Sequence, residues 1–410
     1  RSPWTWLGWA SQPIVNGLQR DITGLSQITY GNGVKGQWQR SEQGIVARIR
    51  YTLPQHANPS ASIHQALPIK LLDYLLSPAY AQTEETALPG ALGLPTEPDA
   101  LYDQRLIYSA QGDVLLQQHA GLGIHKTQAY AYDLSHQLIT AQQSAIAPQS
   151  NKNTPHAPQD MVWRYVYDAR GNRLLAQENV SVDEMHRTRR TDDHHTTHQA
   201  IEAHPQQNNL QYKWNVLGQL ISVQQHNAHI ASYQYNAHGL RIAKQTQLNK
   251  TQSSQHTYYL YNLQRQRIAE LNSDGHITRQ YIWLGDQLVA TVDAHQPQPP
   301  RAYASGFLAA LQQTTSSLWQ QLTNQQDQLH YVHINHLHAP VAVTDTQSSV
   351  VWQADYAPYG GVIKTVAYPT NKAKKTAYQL ALRYAGQWQD DETGLYYNDF
   401  RYYNPTTGRY

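Results

Sequence analysis

Aromatic residues recur at alternate positions in one phrase that repeats along this chain: Tyr-x-aromatic-(Asp/Asn)-x-x-Gly-x-(Arg/Leu)-(Leu/Ile). The sharpest copy is Tyr165-Val166-Tyr167-Asp168-Ala169-Arg170-Gly171-Asn172-Arg173-Leu174. Two others run Tyr212-Lys213-Trp214-Asn215-Val216-Leu217-Gly218-Gln219-Leu220 and Tyr233-Gln234-Tyr235-Asn236-Ala237-His238-Gly239-Leu240-Arg241-Ile242. Weaker copies begin at Tyr130, Tyr259 and Tyr281, and degenerate ones at Tyr30 and Tyr108. The second aromatics Trp214, Tyr235, Tyr261 and Trp283 are spaced 21, 26 and 22 residues apart. That period is one β-hairpin and its return. Side chains of a strand alternate between faces, so the two rings of Tyr-x-Tyr lie on one face. The Asp or Asn that follows bonds the backbone two residues on and opens a turn. The Gly three residues later supplies the positive φ of a type I turn with a G1 bulge, a role that falls to Gly171, Gly218 and Gly239. A lone hairpin is marginal in water, but stacked hairpins cover one another's edges. The pattern predicts an all-β chain of antiparallel hairpins, its tyrosines specifying fold rather than chemistry.

Two stretches break the period with helical spacing. In 54–100, Leu67, Leu71, Leu72, Leu75 and Leu76 form a stripe punctuated by Pro68 and Pro78, before a loop rich in Pro and Gly. In 306–330, Leu308, Leu311, Leu318, Trp319 and Leu322 form another. Neither carries the basic face of an interfacial helix, so both are expected to pack on the sheet rather than contact a membrane. The segments between them divide the chain into 1–53, 101–305 and 331–410.

Composition fits this picture. Among 410 residues there are 29 Tyr and 10 Trp but 2 Phe and 2 Met, so the aromatic surface nearly always carries a hydroxyl or an N–H. Charged residues are 15% of the chain and the net charge is +2, which gives no basis for nucleic-acid binding; Lys372, Lys374 and Lys375 read as a solvated loop. With 0 Cys there is no disulfide framework, zinc ribbon or thiol nucleophile. Arg1-Ser2-Pro3-Trp4 is neither an initiator Met nor a signal peptide, so the chain reads as part of a longer protein. No Gly-x-Ser-x-Gly elbow or phosphate-binding glycine loop occurs. The polar segment 179–208 holds His186, His194, His195, His198 and His204. His194 and His198, with Asp192 and Asp193 beside them, are the candidates for metal, but no apolar pattern pins the segment, and it reads as an exposed loop. No metal or other cofactor is expected.

The repeated phrase resembles the YD repeat of rearrangement-hot-spot (Rhs) proteins, shared with teneurins, bacterial wall-associated proteins and the C subunits of insecticidal toxin complexes. The likeness is strongest over 331–410. Tyr331 to Pro340, then Val343-Thr344-Asp345, Val351-Trp352 and Asp355 to Gly360 resemble the opening of the Rhs-associated core domain. Arg383 to Gln387, Asp391-Glu392-Thr393-Gly394-Leu395-Tyr396-Tyr397 and Phe400 to Pro405 follow its closing motif, with Thr407-Gly408-Arg409-Tyr410 at the end. Asn335 stands where the family usually has Asp, His338 where it has Gly, and Asn404 where it has Asp.

The resemblance implies that the sheet spirals into a hollow shell; the residues alone equally allow a sandwich or propeller. It implies a secreted bacterial polymorphic toxin whose wall encloses a C-terminal toxin beyond Tyr410. An immunity protein would bind that toxin, and a spike-forming region with its chaperones would precede Arg1, serving delivery by type VI secretion. It also implies that Asp391 is the first aspartate of a self-cleaving pair, the second lying past Tyr410. Read from the residues alone, Asp391 opens the turn before Gly394-Leu395-Tyr396. Tyr/Trp-rich faces also suit glycan stacking, so a surface adhesion or glycan-binding protein stands as the alternative.

Overall fold

The computed structural model describes residues 8–9, 12–22, 24–41, 43–54, 100–121, 124–145, 161–171, 173–174, 210–247, 254–294, 328–368 and 377–410. Both predicted helices and the whole of the loop 179–208, with His194 and His198, lie outside them. The chain divides into two units, Arg1–Thr5 with Val15–Arg190 and Trp6–Ile14 with Thr191–Tyr410.

The described part of the first unit is a nine-stranded antiparallel sheet and a short hairpin. Strands β1 (Gly8–Trp9) and β2 (Gln12–Pro13) pair with each other in the second unit, and the nine strands of the first unit's sheet follow them along the chain. They are β3 (Val15–Asp21), β4 (Gly24–Tyr30), β5 (Lys35–Arg40), β6 (Val46–Thr52), β7 (Ala100–Tyr108), β8 (Val114–Gly121), β9 (Ile124–Tyr132), β10 (Leu138–Ala145) and β11 (Met161–Arg164), each paired with its predecessor. The hairpin is β12 (Val166–Tyr167) with β13 (Arg173–Leu174). Ile28, Tyr30, Trp38, Ile49 and Tyr51 form an aromatic-aliphatic core. Gly36 in mid-strand permits it, because a Cβ there would stand 2.7 Å from the Tyr51 ring and 2.9 Å from Ile28.

The second unit holds a twelve-stranded antiparallel sheet. It runs β14 (Leu210–Trp214), β15 (Leu220–Gln225), β16 (Ala228–Tyr235), β17 (Arg241–Thr246), β18 (Gln255–Tyr261), β19 (Arg267–Leu271), β20 (Ile277–Leu284), β21 (Gln287–Asp293), β22 (Gln328–Ile334), β23 (Pro340–Thr344), β24 (Val350–Tyr356) and β25 (Val362–Ala367), again in sequence order. A separate three-stranded sheet, β26 (Trp388–Gln389), β27 (Tyr396–Asn398) and β28 (Arg401–Tyr403), closes the chain. The core is Leu220, Val223, Ala231, Ala290, Tyr331, Val332, Val343 and Trp352, with the Tyr331 hydroxyl donating to the Pro13 carbonyl at 3.0 Å.

The turns follow the chemistry of the phrase. Asn215 Oδ1 accepts from the backbone N–H of Leu217 and Gln219, and Asn236 Oδ1 from those of His238 and Leu240. Gly171, Gly218 and Gly239 have φ of 80, 73 and 80°. Where the phrase lacks glycine, Arg265 (63°) and His338 (59°) take the same conformation. The strand register shifts beside several of these turns, as between Gln234 and Tyr235 or His333 and Ile334.

Many of the second aromatics then bond backward to the preceding hairpin. Tyr235 donates to the Leu220 carbonyl, Tyr261 to Arg241, Trp283 Nε1 to Arg267 and Tyr356 to Pro340. In the first unit Tyr108 donates to Val46, Tyr132 to Val114 and Tyr167 to Leu138. Phenylalanine cannot make this bond, which accounts for an aromatic set made of Tyr and Trp. The first Tyr of a phrase has a second task. Arg173 lies 4.4 Å over Tyr165, Arg241 5.0 Å over Tyr233 and Arg267 3.8 Å over Tyr259, each arginine coming from the returning strand of the same hairpin.

Candidate functional site

Those buried arginines create a demand for anions: in the second unit Glu270 of the same strand meets that of Arg267 at 3.0 Å, and the C-terminal segment meets that of Arg241. Arg241, at the start of β17, grips Asp390 with both terminal nitrogens, Nη1 to Oδ2 at 2.5 Å and Nη2 to Oδ1 at 2.9 Å. Lys244, three residues further along β17, bridges Asp390 Oδ1 and Glu392 Oε2, each at 3.1 Å. The Tyr233 hydroxyl donates to Glu392 Oε1 at 2.7 Å. Tyr402 accepts from Arg241 Nη1 at 3.2 Å and shares a 2.8 Å hydrogen bond with the Tyr235 hydroxyl. Tyr397 accepts from the Arg241 backbone N–H at 2.8 Å, its ring 4.3 Å from the guanidinium. Nearby, Arg267 lies between the rings of Tyr259 and Trp388, and Trp388 stands edge-on to Tyr281.

Asp390 and the Arg241 side chain are each about 1% exposed or less, so neither charge would survive alone. Burial by itself would raise the Asp390 carboxyl, but the charges of Arg241 and Lys244 and their hydrogen bonds outweigh it and hold it below its ordinary value. Glu392 goes the other way. Burial first, then the Asp390 charge, raise it against the pull of Lys244. Burial also holds the Tyr233 and Tyr402 hydroxyls well above their ordinary value. The cluster therefore pairs a fixed carboxylate with one that takes a proton more readily, both bound to a single lysine. Its evident work is to seat the closing segment on the sheet.

Asp391 sits between these two residues and outside their cluster. It is exposed, and its Oδ1 accepts from Gln389 Nε2 at 3.0 Å. The turn itself is closed by the carbonyl of Asp390, which accepts from the N–H groups of Thr393 and Gly394. The sequence held a signal for Asp390 that the motif match passed over. Strand parity carried on from buried Trp388 points Asp390 and Glu392 one way and Gln389 and Asp391 the other. Among the described residues no three His, Asp or Glu side chains come together as a metal site, and no helix is long and apolar enough to cross a membrane.

Comparison with known proteins places this architecture. Double-stranded DNA deaminase toxin A of Burkholderia cenocepacia is 30% identical over 140 residues, 32% of this chain and 10% of that protein. Toxin subunit YenC1 of Yersinia entomophaga is 26% identical over 316 residues, 68% of this chain and 30% of that protein. The chain thus spans less than a third of either relative. The crystal structure of TcdB2-TccC3 superposes with a TM-score of 0.61 at 20% identity, covering 98% of this chain and 18% of that one, which is a likeness of fold. The family model described as Teneurin YD-shell matches residues 84–291, half of the chain and the stretch that carries most copies of the repeated phrase, and the chain belongs to that family.

Proposed function

We propose that this chain is wall of the YD shell of a secreted bacterial polymorphic toxin, enclosing a toxic polypeptide that follows Tyr410 until delivery. The observation that carries the reading is the anchoring of 377–410. The ion cluster of Asp390 and Glu392 fixes the end of the segment to the sheet, so any polypeptide continuing from it starts against the wall. Relatives named as toxins and a toxin subunit support the same reading. The enclosed polypeptide is cut from the wall in cis. With Asp390 held by Arg241, Asp391 is the exposed carboxylate of the turn and the one free to share a proton with a second carboxylate beyond Tyr410. Type VI delivery, a spike and chaperones engaging a region before Arg1, and an immunity protein that binds the toxin and not the wall complete the proposal.

The test uses the longer gene product. On a denaturing gel the wild type runs as two bands that elute together under native conditions, and Asp391→Asn runs as one. Two bands at the wild-type rate in the variant would move the chemistry away from Asp391. Separation of the fragments under native conditions would remove enclosure.

A further inference from the structure

A second contact holds the closing segment, away from the ion cluster, and it is built around a histidine. His330 lies on β22, opposite Thr291 of β21, and is buried. Its imidazole rests on the ring of Tyr378, centroids 4.5 Å apart. The Tyr378 hydroxyl shares a 2.8 Å hydrogen bond with Thr291 Oγ1. Arg279 of β20 flanks the same ring, its guanidinium carbon 4.9 Å from the centroid, and donates to the Gln379 carbonyl. Three neighbours on the sheet thus hold Tyr378 and Gln379.

The charged and titratable groups facing His330 are few. Asp293 of β21 places Oδ2 3.8 Å from His330 Nδ1, beyond hydrogen-bond reach, and is already gripped by Arg279 through Nε and through Nη2 at 2.9 Å. Arg279 contributes a fixed positive charge, Asp345 a more distant negative one, and Tyr378 a neutral hydroxyl. A neutral imidazole suits this place. A protonated one would add a second buried cation beside Arg279, with the nearest carboxylate already committed.

We propose that His330 is a proton-operated clasp: neutral, it seats residues 377–382 on the twelve-stranded sheet, and protonated, it lets that segment lift. The clasp makes retention of the closing segment sensitive to mild acid, independently of any cleavage. The direction agrees with the environment, since burial first, and Arg279 with it, lower the His330 imidazole below its ordinary value against the pull of Asp293 and Asp345. The seated form is then favoured above the ordinary histidine value near 6.5 and loses ground as pH falls below it, because only the lifted form takes the proton freely.

Hydrogen exchange on the full chain tests this, with rates corrected for intrinsic chemistry. Protection of amides in 377–390 should fall on the order of tenfold from pH 7.5 to 5.5 relative to β15 and β16, the most that one histidine free to titrate near 6.5 allows. His330→Phe keeps a ring against Tyr378 and cannot be protonated, so its protection should hold across that range. Other buried histidines, His333 with its pKa pushed down to about 3 and His336 to about 4, are present in both proteins and cancel in the comparison. An equal fall in wild type and His330→Phe, or no fall in the wild type, overturns the clasp. Should the variant fail to fold, the wild type alone decides. The imidazole signal of His330 followed by NMR must titrate together with the loss of protection, and titration without that loss overturns the proposal.

Discussion

The two large sheets follow the same hairpin grammar and fill their buried polar positions by different means. In the nine-stranded sheet the buried polar groups are satisfied by neighbouring strands, as in the Arg48–Asp103 ion pair of β6 and β7 and in a row that is mostly amide and hydroxyl. Tyr102 bonds His119, His119 meets Gln117, Tyr130 bonds Gln128, and Gln128 and Lys126 both donate to Gln143 Oε1 at 3.1 Å. In the twelve-stranded sheet Arg267 and Arg279 also find carboxylates nearby, but part of the demand is met by residues about 150 positions away, Arg241 by Asp390 across 149 and Lys244 by Glu392 across 148. A row met by its own neighbours is complete once those strands pair. A row whose partners are distant stays incomplete until the closing segment arrives, so in the second unit the seated segment completes an ion cluster that the sheet alone leaves open.

The sharpest way to break this contrast is to remove one member of each kind. Arg241→Met leaves Asp390 buried without its main partner and should cost about 3–5 kcal/mol in denaturant unfolding. Gln128→Leu leaves partners that remain polar but neutral and should cost about 1–3 kcal/mol. Equal losses would mean the ionic cluster is no more demanding than the amide row. A smaller difference is expected at the turns. Gly239 has φ of 80° and a Cβ there would stand 3.0 Å from Phe400, whereas Gly112 has φ of 95° and open space. Gly239→Ala should therefore destabilise by about 2–3 kcal/mol and Gly112→Ala by about 1 kcal/mol, read as shifts in the thermal midpoint. The smallest effect tests what the sheets share. Tyr132→Phe in one and Tyr261→Phe in the other each lose the bond to a preceding carbonyl and should cost about 1 kcal/mol alike. A large inequality would show that the backward bond is not a common device.

What could be read in advance was local. The Asx residue, the glycine and the two aromatics of each phrase lie within a few positions of one another, and turn chemistry fixes their geometry without help from the rest of the chain. The positive φ at His338 and Arg265 was harder to anticipate, since nothing in a histidine or arginine announces it; the surrounding hairpin imposes it. The role of the returning arginine was only half visible. Its stacking on the first Tyr of the phrase is local, as is the pairing of Arg267 with Glu270, but the carboxylate partner of Arg241 comes from the far end of the chain, and no periodicity reports a pairing across 149 residues. At the closing turn, a motif match directed attention to Asp391, while the alternation of faces placed Asp390 inward.

One feature of the sheets concerns where they tolerate interruption. Strands β6 and β7 pair, Arg48 with Arg105 and, after a one-residue shift at the junction, Thr52 with Ala100, although residues 53–99 intervene; β21 and β22 pair across 294–327 without a shift, with Asp293 opposite Gln328. The entropy of closing a flexible loop grows only logarithmically with its length, about 0.6 kcal/mol per doubling. Such junctions act as ports: foreign sequence enters and leaves through two adjacent strand ends, and the ladder on either side keeps its register. A folded domain with neighbouring termini, grafted between Thr52 and Ala100 or between Asp293 and Gln328, should be displayed on this scaffold as an independent module.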